Sequence, residues 1–408
     1  MILYRIILMA YIVTMMLACN YTDPEKRDNI GIPIAQDVMQ SSEIIPMTDS
    51  AKTLGTIQIA NITKVELEEI WPLHGYSGAF IACNSEEICI TATGENFHTG
   101  VSSFSWQGVP AWSIPDSVVL GNGSAYRNIG SSPAFGISLV DSLLTFAYWG
   151  QIVVMNVNNK SIVSHTYFND SSSLYETLFK PLSVSKIGGK SVVTWAFPFV
   201  TTESLIPVVS VLDDDFVSLW DIVFSREQDE YKLVREARSG EVITLMTLDD
   251  TYLMHIAASD SAIYLNPARM DVIIEFDIEG NVISIIYGDH SRESYNHKNY
   301  RDSAQMRRQS MHLVRHIEYI GNDVLAVLYG TACFPTDSSE IWCVNLSTGA
   351  HMVLPFSKSV STFSATSDRL VIAAVESTVL DDSTSMQNRT IETMEWSIEK
   401  LWQQEHTP

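Results

Sequence analysis

One short pattern recurs along the chain and constrains its fold more than any other feature. An apolar strand is followed by Asn or Asp, an apolar residue, a short polar turn and a second strand. The clearest copies are VVMNVNNKSIV around Asn156, IIEFDIEGNVI around Asp277 and IWCVNLSTGAHMV around Asn345. Weaker copies lie around Thr91, Asp213 and Ser397. The pattern predicts repeated β-hairpins.

The copies are spaced almost regularly. Successive anchor residues are 65, 57, 64, 68 and 52 positions apart, which exceeds the roughly 40–45 residues of a WD40 unit. Such a unit has room for four strands with generous loops, which is the content of one propeller blade. Helical periodicity is nearly absent, and short runs rich in Val, Ile, Thr and aromatic residues dominate. The sequence therefore predicts an all-β fold, a six-bladed β-propeller over residues 55–408, with a large β-sandwich as the alternative.

The two ends of this domain are predicted to meet in one blade. The last copy of the pattern, around Ser397, lies 11 residues before Pro408, so its blade lacks room for another full strand. An open ring would leave exposed sheet edges. The run Thr56–Ile62, TIQIANI, could supply the missing strand from the start of the domain.

The beginning of the chain has the features of an export signal. Arg5 gives a positive start, and Ile6–Leu17 is an apolar run, shorter than the roughly 20 apolar residues of a membrane-spanning helix. The segment Met16-Leu17-Ala18-Cys19 resembles the lipobox of bacterial lipoproteins. This resemblance implies that residues 1–18 are removed and that Cys19 is diacylated. A plain signal peptide with a chance cysteine at the cleavage site is the alternative.

Residues 19–54 are predicted to be a flexible tether. The segment after Cys19 is polar, holds one aromatic residue and shows no sustained period, which is typical of a spacer. Acyl chains on Cys19 would anchor the protein stably because each buried CH₂ contributes about 0.8 kcal/mol. The expected partner is therefore a membrane, reached through the N-terminal lipid. The expected location is the cell envelope, as an outer-membrane lipoprotein that faces the periplasm or the cell surface.

The net charge excludes one class of partner. The formal charge is −23 for the whole chain. A domain this acidic repels phosphate backbones, so nucleic acid is not an expected partner.

Four further cysteines lie as two local pairs, Cys83 with Cys89 and Cys333 with Cys343. An even number of cysteines in an exported chain favours disulfides. The spacings C-x5-C and C-x9-C lack the tight knuckle of a zinc site, and no metal is predicted. We predict the disulfides Cys83–Cys89 and Cys333–Cys343, because each pair flanks a probable hairpin loop. Unpaired core cysteines are the alternative.

The segment 289–316 is a basic island in this acidic chain, with a net charge of +3 and four histidines. Guanidinium forks match the geometry of carboxylate and sulfate groups. The segment is therefore a candidate site for an anionic ligand, formed by Arg301, Arg307, Arg308, Tyr295, His297 and Tyr300. The alternative is a solvated inter-blade loop whose charges pair with acidic neighbours.

Aromatic residues are concentrated in the segment 98–135, which contains Phe104, Trp106, Trp112 and Tyr126. Aromatic side chains on loops can stack on sugar rings. They can equally cap the core of a propeller, and the sequence favours that interpretation.

Familiar catalytic motifs are absent from the sequence. It contains no G-x-S-x-G, H-E-x-x-H, Walker or G-x-G-x-x-G motif, and it predicts no cofactor. This absence leans against an enzyme but leaves the question open, because propeller sites assemble from distant loops.

Taken together, the lipobox, the blade period and the hairpin pattern resemble the TolB-like six-bladed propeller lipoproteins of the Bacteroidetes group. The resemblance covers residues 55–408 and the lipobox. It implies an envelope protein, and it carries over no catalytic residues.

Three functions are compatible with these features. The first is a non-catalytic envelope lipoprotein that binds a ligand or partner, such as a glycan or an envelope protein, on one propeller face. The second is a polysaccharide lyase or glycosidase, with Tyr295, His297 or Tyr300 as acid or base and Arg301 neutralising a substrate carboxylate. The third is a scaffold subunit of an outer-membrane assembly.

Overall fold

The computed structural model describes most of the chain from residue 44 onwards. The described ranges are 44–46, 52–66, 79–92, 100–115, 136–148, 151–167, 180–187, 189–196, 206–214, 217–227, 230–248, 254–267, 272–287, 312–331, 339–379 and 384–398. Within these ranges every regular element is a β-strand. No helix in the described ranges has the length and apolar character needed to cross a membrane.

The strands form six separate sheets, numbered here as blades 1–6 in chain order. Two strands precede blade 1, β1 (Ile44–Pro46) and β2 (Lys52–Glu66). Blade 1 contains β3 (Ala79–Cys83), β4 (Ile88–Ala92), β5 (Gly100–Phe104) and β6 (Pro110–Pro115). Blade 2 contains β7 (Gly136–Val140), β8 (Leu143–Tyr148), β9 (Gln151–Asn156) and β10 (Ser161–Tyr167).

Blade 3 is larger than the others, because a further hairpin extends its outer edge. Its six strands are β11 (Lys180–Ile187), β12 (Lys190–Ala196), β13 (Ile206–Leu212), β14 (Ser218–Glu227), β15 (Glu230–Ala237) and β16 (Val242–Leu248).

The remaining blades complete the series. Blade 4 contains β17 (Met254–Ala258), β18 (Ala262–Pro267), β19 (Val272–Asp277) and β20 (Val282–Tyr287). Blade 5 contains β21 (His312–Gly321), β22 (Val324–Thr331), β23 (Ser339–Asn345) and β24 (His351–Phe356), with β1 added in parallel to β24. Blade 6 contains β25 (Ser359–Ala365), β26 (Arg369–Val379) and β27 (Thr384–Glu395), with β2 as its outermost strand.

The first strands of the six blades form a closed inner ring. Each of β3, β7, β11, β17, β21 and β25 contacts the next, and β25 contacts β3 again. The buried apolar residues form six clusters, one at each junction between neighbouring blades. The molecule is therefore a six-bladed β-propeller, as the repeat spacing predicts, and the sandwich alternative is wrong.

The N-terminal strand closes the ring. β2 pairs antiparallel with β27, so that Lys52 lies opposite Glu395 and Ile57 lies opposite Ile391. Ile57 is buried at the junction between blades 6 and 1. The prediction that Thr56–Ile62 completes the last blade is confirmed. The tether predicted for residues 19–54 is wrong at 44–46 and 52–54, because these residues lie in strands that pair with blades 5 and 6.

The recurring Asn or Asp has a definite structural role. The side-chain oxygen Oδ1 of Asn156, Asp277 or Asn345 accepts hydrogen bonds from backbone N–H groups of the turn that follows, at 2.7–3.0 Å for the shortest in each blade. Asp213 accepts a comparable bond from the Val217 N–H at 2.9 Å. The sequence pattern is thus the signature of an Asx-type turn between the third and fourth strands of a blade.

The weak copy around Thr91 marks a different place. Thr91 lies inside β4, the second strand of blade 1. The equivalent turn of blade 1 follows Phe104, where the Ser105 hydroxyl accepts bonds from the N–H groups of Gln107 and Val109, both at 3.3 Å. Because Ser105 takes the place of the Asn or Asp, the sequence pattern does not detect the turn of blade 1.

The two faces of the ring differ in their connections. One face holds the turns that join the first strand of a blade to the second and the third strand to the fourth, together with the β15–β16 turn. Each of these turns is two to five residues long. We call this face the turn face. The connections between blades, and those between second and third strands, leave the opposite face, which we call the loop face. The longest of these span 67–78, 116–135, 168–179 and 288–311.

The predicted disulfide Cys83–Cys89 is wrong. Cys83 pairs across the hairpin with Ile88, and Cys89 pairs with Ala82. Because side chains alternate along a strand, the two cysteines point to opposite sides of blade 1. Cys83 packs at the junction with blade 6, and Cys89 packs at the junction with blade 2.

Cys343 is also free and buried, at the junction between blades 5 and 6. Its predicted partner, Cys333, lies outside the described residues. Among the described cysteines, which are Cys83, Cys89 and Cys343, there is no disulfide, and the alternative of unpaired core cysteines holds for these three.

The aromatic residues of blade 1 cap the core. Phe104 and Trp106 are buried at the junction between blades 6 and 1, and the Trp106 indole N–H donates to the Asn84 carbonyl at 3.2 Å. Trp112 is partly buried and donates to the Glu87 carboxylate at 3.0 Å. Tyr126 lies outside the described residues.

Candidate functional site

The six residues predicted to bind an anionic ligand all lie outside the described residues. These are Arg301, Arg307, Arg308, Tyr295, His297 and Tyr300. The two strands that flank them are described. β20 ends at Tyr287 and β21 begins at His312, and both ends lie at the loop face. The basic segment therefore joins blade 4 to blade 5 at that face.

The end of the basic segment continues into the inner ring. Arg315 and His316 belong to β21, the first strand of blade 5. The Arg315 Nη1 donates hydrogen bonds to the Ser359 hydroxyl at 3.0 Å and to the Val360 carbonyl at 2.9 Å. This arginine thus ties blade 5 to the first strand of blade 6.

Gly330 provides the space for this arginine. A Cβ atom at position 330 would lie 2.8 Å from the Arg315 Nε and 2.9 Å from its Cζ, closer than these atoms can approach. A side chain here would displace the guanidinium group, so the glycine is part of the tie between the two blades.

His316 is packed against an aromatic ring. Its imidazole lies edge-on to Phe363 of β25, with ring centroids 5.0 Å apart and an interplanar angle of 88°. Burial lowers the pKa of His316 to about 4, because charging an imidazole away from water is unfavourable. The side chain is therefore neutral at physiological pH.

Glu318 lies two residues further along the same strand. Its Oε1 accepts a hydrogen bond from the Ser364 hydroxyl at 2.8 Å, and the Ala365 backbone also contributes a hydrogen bond. Its Oε2 is shielded from solvent and has no hydrogen-bond partner in the described part of the chain. Burial raises the pKa of Glu318 to about 8, so the carboxyl group is mainly protonated at neutral pH.

Ser364 links this carboxyl to a thiol on a third blade. Its hydroxyl oxygen accepts from the Cys83 backbone N–H at 3.2 Å and lies 3.3 Å from the Cys83 Sγ. Cys83, Ser364 and Glu318 thus form a chain of hydrogen bonds across blades 1, 6 and 5. We call these three residues with His316 the polar seam.

The polar seam is arranged to hold protons rather than to activate a nucleophile. Burial, with a contribution from Glu318, raises the pKa of the Cys83 thiol well above its usual value. A buried neutral thiol is a poor nucleophile. The carboxyl beside Ser364 is itself mainly protonated, so it is a poor base for the hydroxyl.

A second carboxyl, which is partly buried, lies within blade 3. Asp221 of β14 accepts from the Ser210 hydroxyl of β13 through Oδ1, and from the Ser218 hydroxyl through Oδ2 at 2.9 Å. The Trp195 indole N–H donates to Ser210 at 2.8 Å. Burial raises the pKa of Asp221, and the two serine hydroxyls oppose this rise.

The described residues include no group of three or more His, Cys, Asp or Glu side chains that could hold a metal ion. Asp213, the first residue of the acidic run 213–215, serves its own turn through the bond from Val217.

No family model matches the sequence, and none of the curated proteins matches it. Among solved structures, a streptogramin B lyase is 10% identical, with a TM-score of 0.42 over 81% of this chain and 98% of that one. A member of the DUF4221 family from Bacteroides vulgatus is also 10% identical, with a TM-score of 0.44 over 83% of this chain and 99% of that one.

Proposed function

We propose that this protein is an envelope lipoprotein, held by a lipid on Cys19, whose propeller binds a ligand or partner at its loop face without catalysing a reaction. The observation that carries the proposal is the difference between the two faces. The long connections of different blades start and end at strand termini on one face, and the opposite face has only short turns. Binding surfaces are commonly built from loops on a rigid scaffold.

The ligand class follows from charge. The basic segment 289–316 enters the ring at the loop face between blades 4 and 5. In a chain with a net charge of −23, this segment is suited to an anionic group, carried by a glycan or by another envelope protein. A TolB-like lipoprotein of the outer membrane, facing the periplasm or the surface, fits this proposal.

No observation within the described residues favours the two alternatives, the polysaccharide-active enzyme and the scaffold subunit. The acid and base candidates of the enzyme alternative, Tyr295, His297 and Tyr300, lie outside the described residues. A screen of the purified mature chain against anionic and neutral glycans, read for both binding and cleavage, separates a binding protein from an enzyme.

The arginines of the basic segment provide the direct test. Replacing Arg301, Arg307 and Arg308 with Ala should weaken binding of an anionic glycan, and the effect should shrink as salt rises, because surface charges are screened over about 8–10 Å. The melting temperature should change little, since exposed ion pairs contribute about 0–1 kcal/mol each.

The matched control is Arg238→Ala, which removes one exposed arginine from the turn face. It should leave binding unchanged. A triple variant that melts at a clearly lower temperature but keeps its affinity would show that the segment is a structural connection.

Lipidation is tested separately. Cys19→Ser should abolish incorporation of a labelled fatty acid. The acyl chains are expected on the Cys19 thiol and on the Cys19 amine that removal of residues 1–18 would free. Cys333→Ser is the control and should be labelled like the wild type. Equal labelling of the wild type and the Cys19 variant would refute the lipid anchor.

A further inference from the structure

The turn face carries a group of exposed apolar side chains. The nine large apolar residues that are exposed, among those whose burial the structure describes, lie in a turn of this face or within three residues of one. They are Val109, Val140, Leu143, Ile162, Val163, Val217, Val242, Ile243 and Ile283. They come from blades 1–4, and we call them the apolar arc. Exposed apolar surface is common at sites that contact a membrane or another protein.

The N-terminal part of the chain reaches the same face. β2 begins with Lys52 opposite Glu395, at the turn-face end of β27. Ile44 of β1 lies opposite His351, which directly follows the turn 346–350 of that face. The chain therefore enters the propeller from the turn face at blades 5 and 6, beside the apolar arc.

The negative charge of the turn face limits the kinds of surface that this face can contact. In every blade except blade 3, the turn between the first and second strands holds an exposed carboxylate. These residues are Glu86, Asp141, Asp260, Asp323 and Asp368. An acidic face is repelled by anionic lipid headgroups and by a second copy of itself. A zwitterionic lipid surface has no net charge and imposes no such penalty.

We propose that the turn face rests on a zwitterionic membrane surface, with the apolar arc in contact with it and the loop face turned away. This inference depends on the lipid anchor proposed above. A flexible tether with the 24 residues of segment 20–43 would have a root-mean-square length of roughly 25–30 Å. Such a tether keeps the turn face at a high effective concentration near the lipid, so a weak contact is enough to orient the domain.

The test supplies the lipid chemically, so it does not require acylation in the cell. The mature chain, with Cys333→Ser, is coupled through the Cys19 thiol to a maleimide lipid in phosphatidylcholine vesicles. Cys83, Cys89 and Cys343 are buried and stay unmodified. A genetically encoded fluorescent residue replaces either Ser261, exposed on the turn face, or Ser357, exposed on the loop face.

Energy transfer to an acceptor on the lipid headgroups reports the orientation. We expect more transfer from position 261 than from position 357. The variant with Val163→Ser, Val242→Ser and Ile283→Ser should lose this difference, because it removes apolar contact from three blades at side chains that are 58%, 59% and 44% exposed. The control with Val163→Ile, Val242→Ile and Ile283→Val should keep it. Vesicles rich in phosphatidylglycerol should reduce the difference.

Several results would overturn the proposal. Equal transfer from the two positions, or a difference that persists in the serine variant, would show that the apolar arc does not contact lipid. A stronger difference on anionic vesicles would contradict the charge argument. Self-association of the mature chain that the serine variant abolishes would assign the face to a second copy. Failure of fatty-acid labelling at Cys19 would refute the lipid anchor and would leave the vesicle result unaffected.

Discussion

Glu318 and Asp221 both carry carboxyl groups inside the propeller, but the hydrogen bonds to the two groups are distributed differently. Asp221 receives a serine hydroxyl on each oxygen. Glu318 receives its hydrogen bonds on one side, and its Oε2 is buried without a partner among the described residues. Hydrogen bonds to a carboxylate lower its pKa, and burial raises it. Burial raises the pKa of both carboxyl groups, and the two hydrogen bonds that each one receives oppose that rise.

The largest expected effect comes from removing the Glu318 charge. Its pKa rises from 4.5 in the unfolded chain to about 8 in the folded one, so folding favours the protonated form. The stabilisation is complete below pH 4.5 and is lost as the pH rises through 8. Glu318→Gln should therefore stabilise the protein at pH 8 by roughly 3–4 kcal/mol relative to the wild type. Denaturant unfolding at a series of pH values measures this.

His316 provides an internal control for that profile. Its folded pKa of about 4 lies below the ordinary value of 6.5, so its contribution to stability is lost as the pH falls from 6.5 towards 4. In the wild type this slope opposes that of Glu318 between pH 4.5 and 6.5. In the Glu318→Gln variant, the loss of stability that His316 causes as the pH falls below 6.5 should therefore become visible. If the variant and the wild type have the same pH profile, Glu318 is ionised in the folded protein.

The opposite sign is expected for Asp221. Asp221→Asn replaces an acceptor-only group that satisfies two serine donors with an amide that can accept at one oxygen. The variant should lose about 1–3 kcal/mol of stability at neutral pH. Ser218→Ala, which removes one donor and keeps the carboxylate, should cost less. A stabilising Asp221→Asn would mean that this carboxyl resembles Glu318 after all.

The smallest effect concerns the thiols. A reducing agent should leave the melting temperature unchanged, since Cys83, Cys89 and Cys343 are already free. Native protein should react slowly with thiol reagents at these three positions, because burial raises the pKa of Cys83 and Cys89 and of Cys343. Peptide mapping without reductant that finds Cys83 joined to Cys89 would contradict the structure.

The sequence predicts the fold better than it predicts the polar seam, for a physical reason. Asn156, Asp277 and Asn345 act within their own turns, so a local pattern reveals them and their spacing reveals the blades. The bond from Ser364 to Glu318 joins residues 46 positions apart, and that from Cys83 to Ser364 spans 281. One sequence has no signal that connects such distant positions. An acidic residue inside the apolar stretch IEYI is the only local hint at Glu318.

The disulfide prediction fails because it depends on the pairing register of a single hairpin. Spacing alone places Cys83 and Cys89 at the two sides of a hairpin, which is correct. Whether the two thiols face each other depends on the pairing register, and a shift of one residue reverses the side to which a side chain points. The extra hairpin β15–β16 is likewise missed, because it fits within a spacing similar to that of the other blades.

The pairing of β2 with β27 also determines how the chain reaches its final structure. The Thr393 hydroxyl donates to the Gly55 carbonyl across 338 positions of sequence, and contacts of such long range form late and slowly. The outer strand of blade 6 has no partner until residues 384–395 exist and have reached it. A chain still being synthesised therefore cannot close its ring, and a protein truncated before β27 would be left with β2 and the adjacent side of blade 1 uncovered.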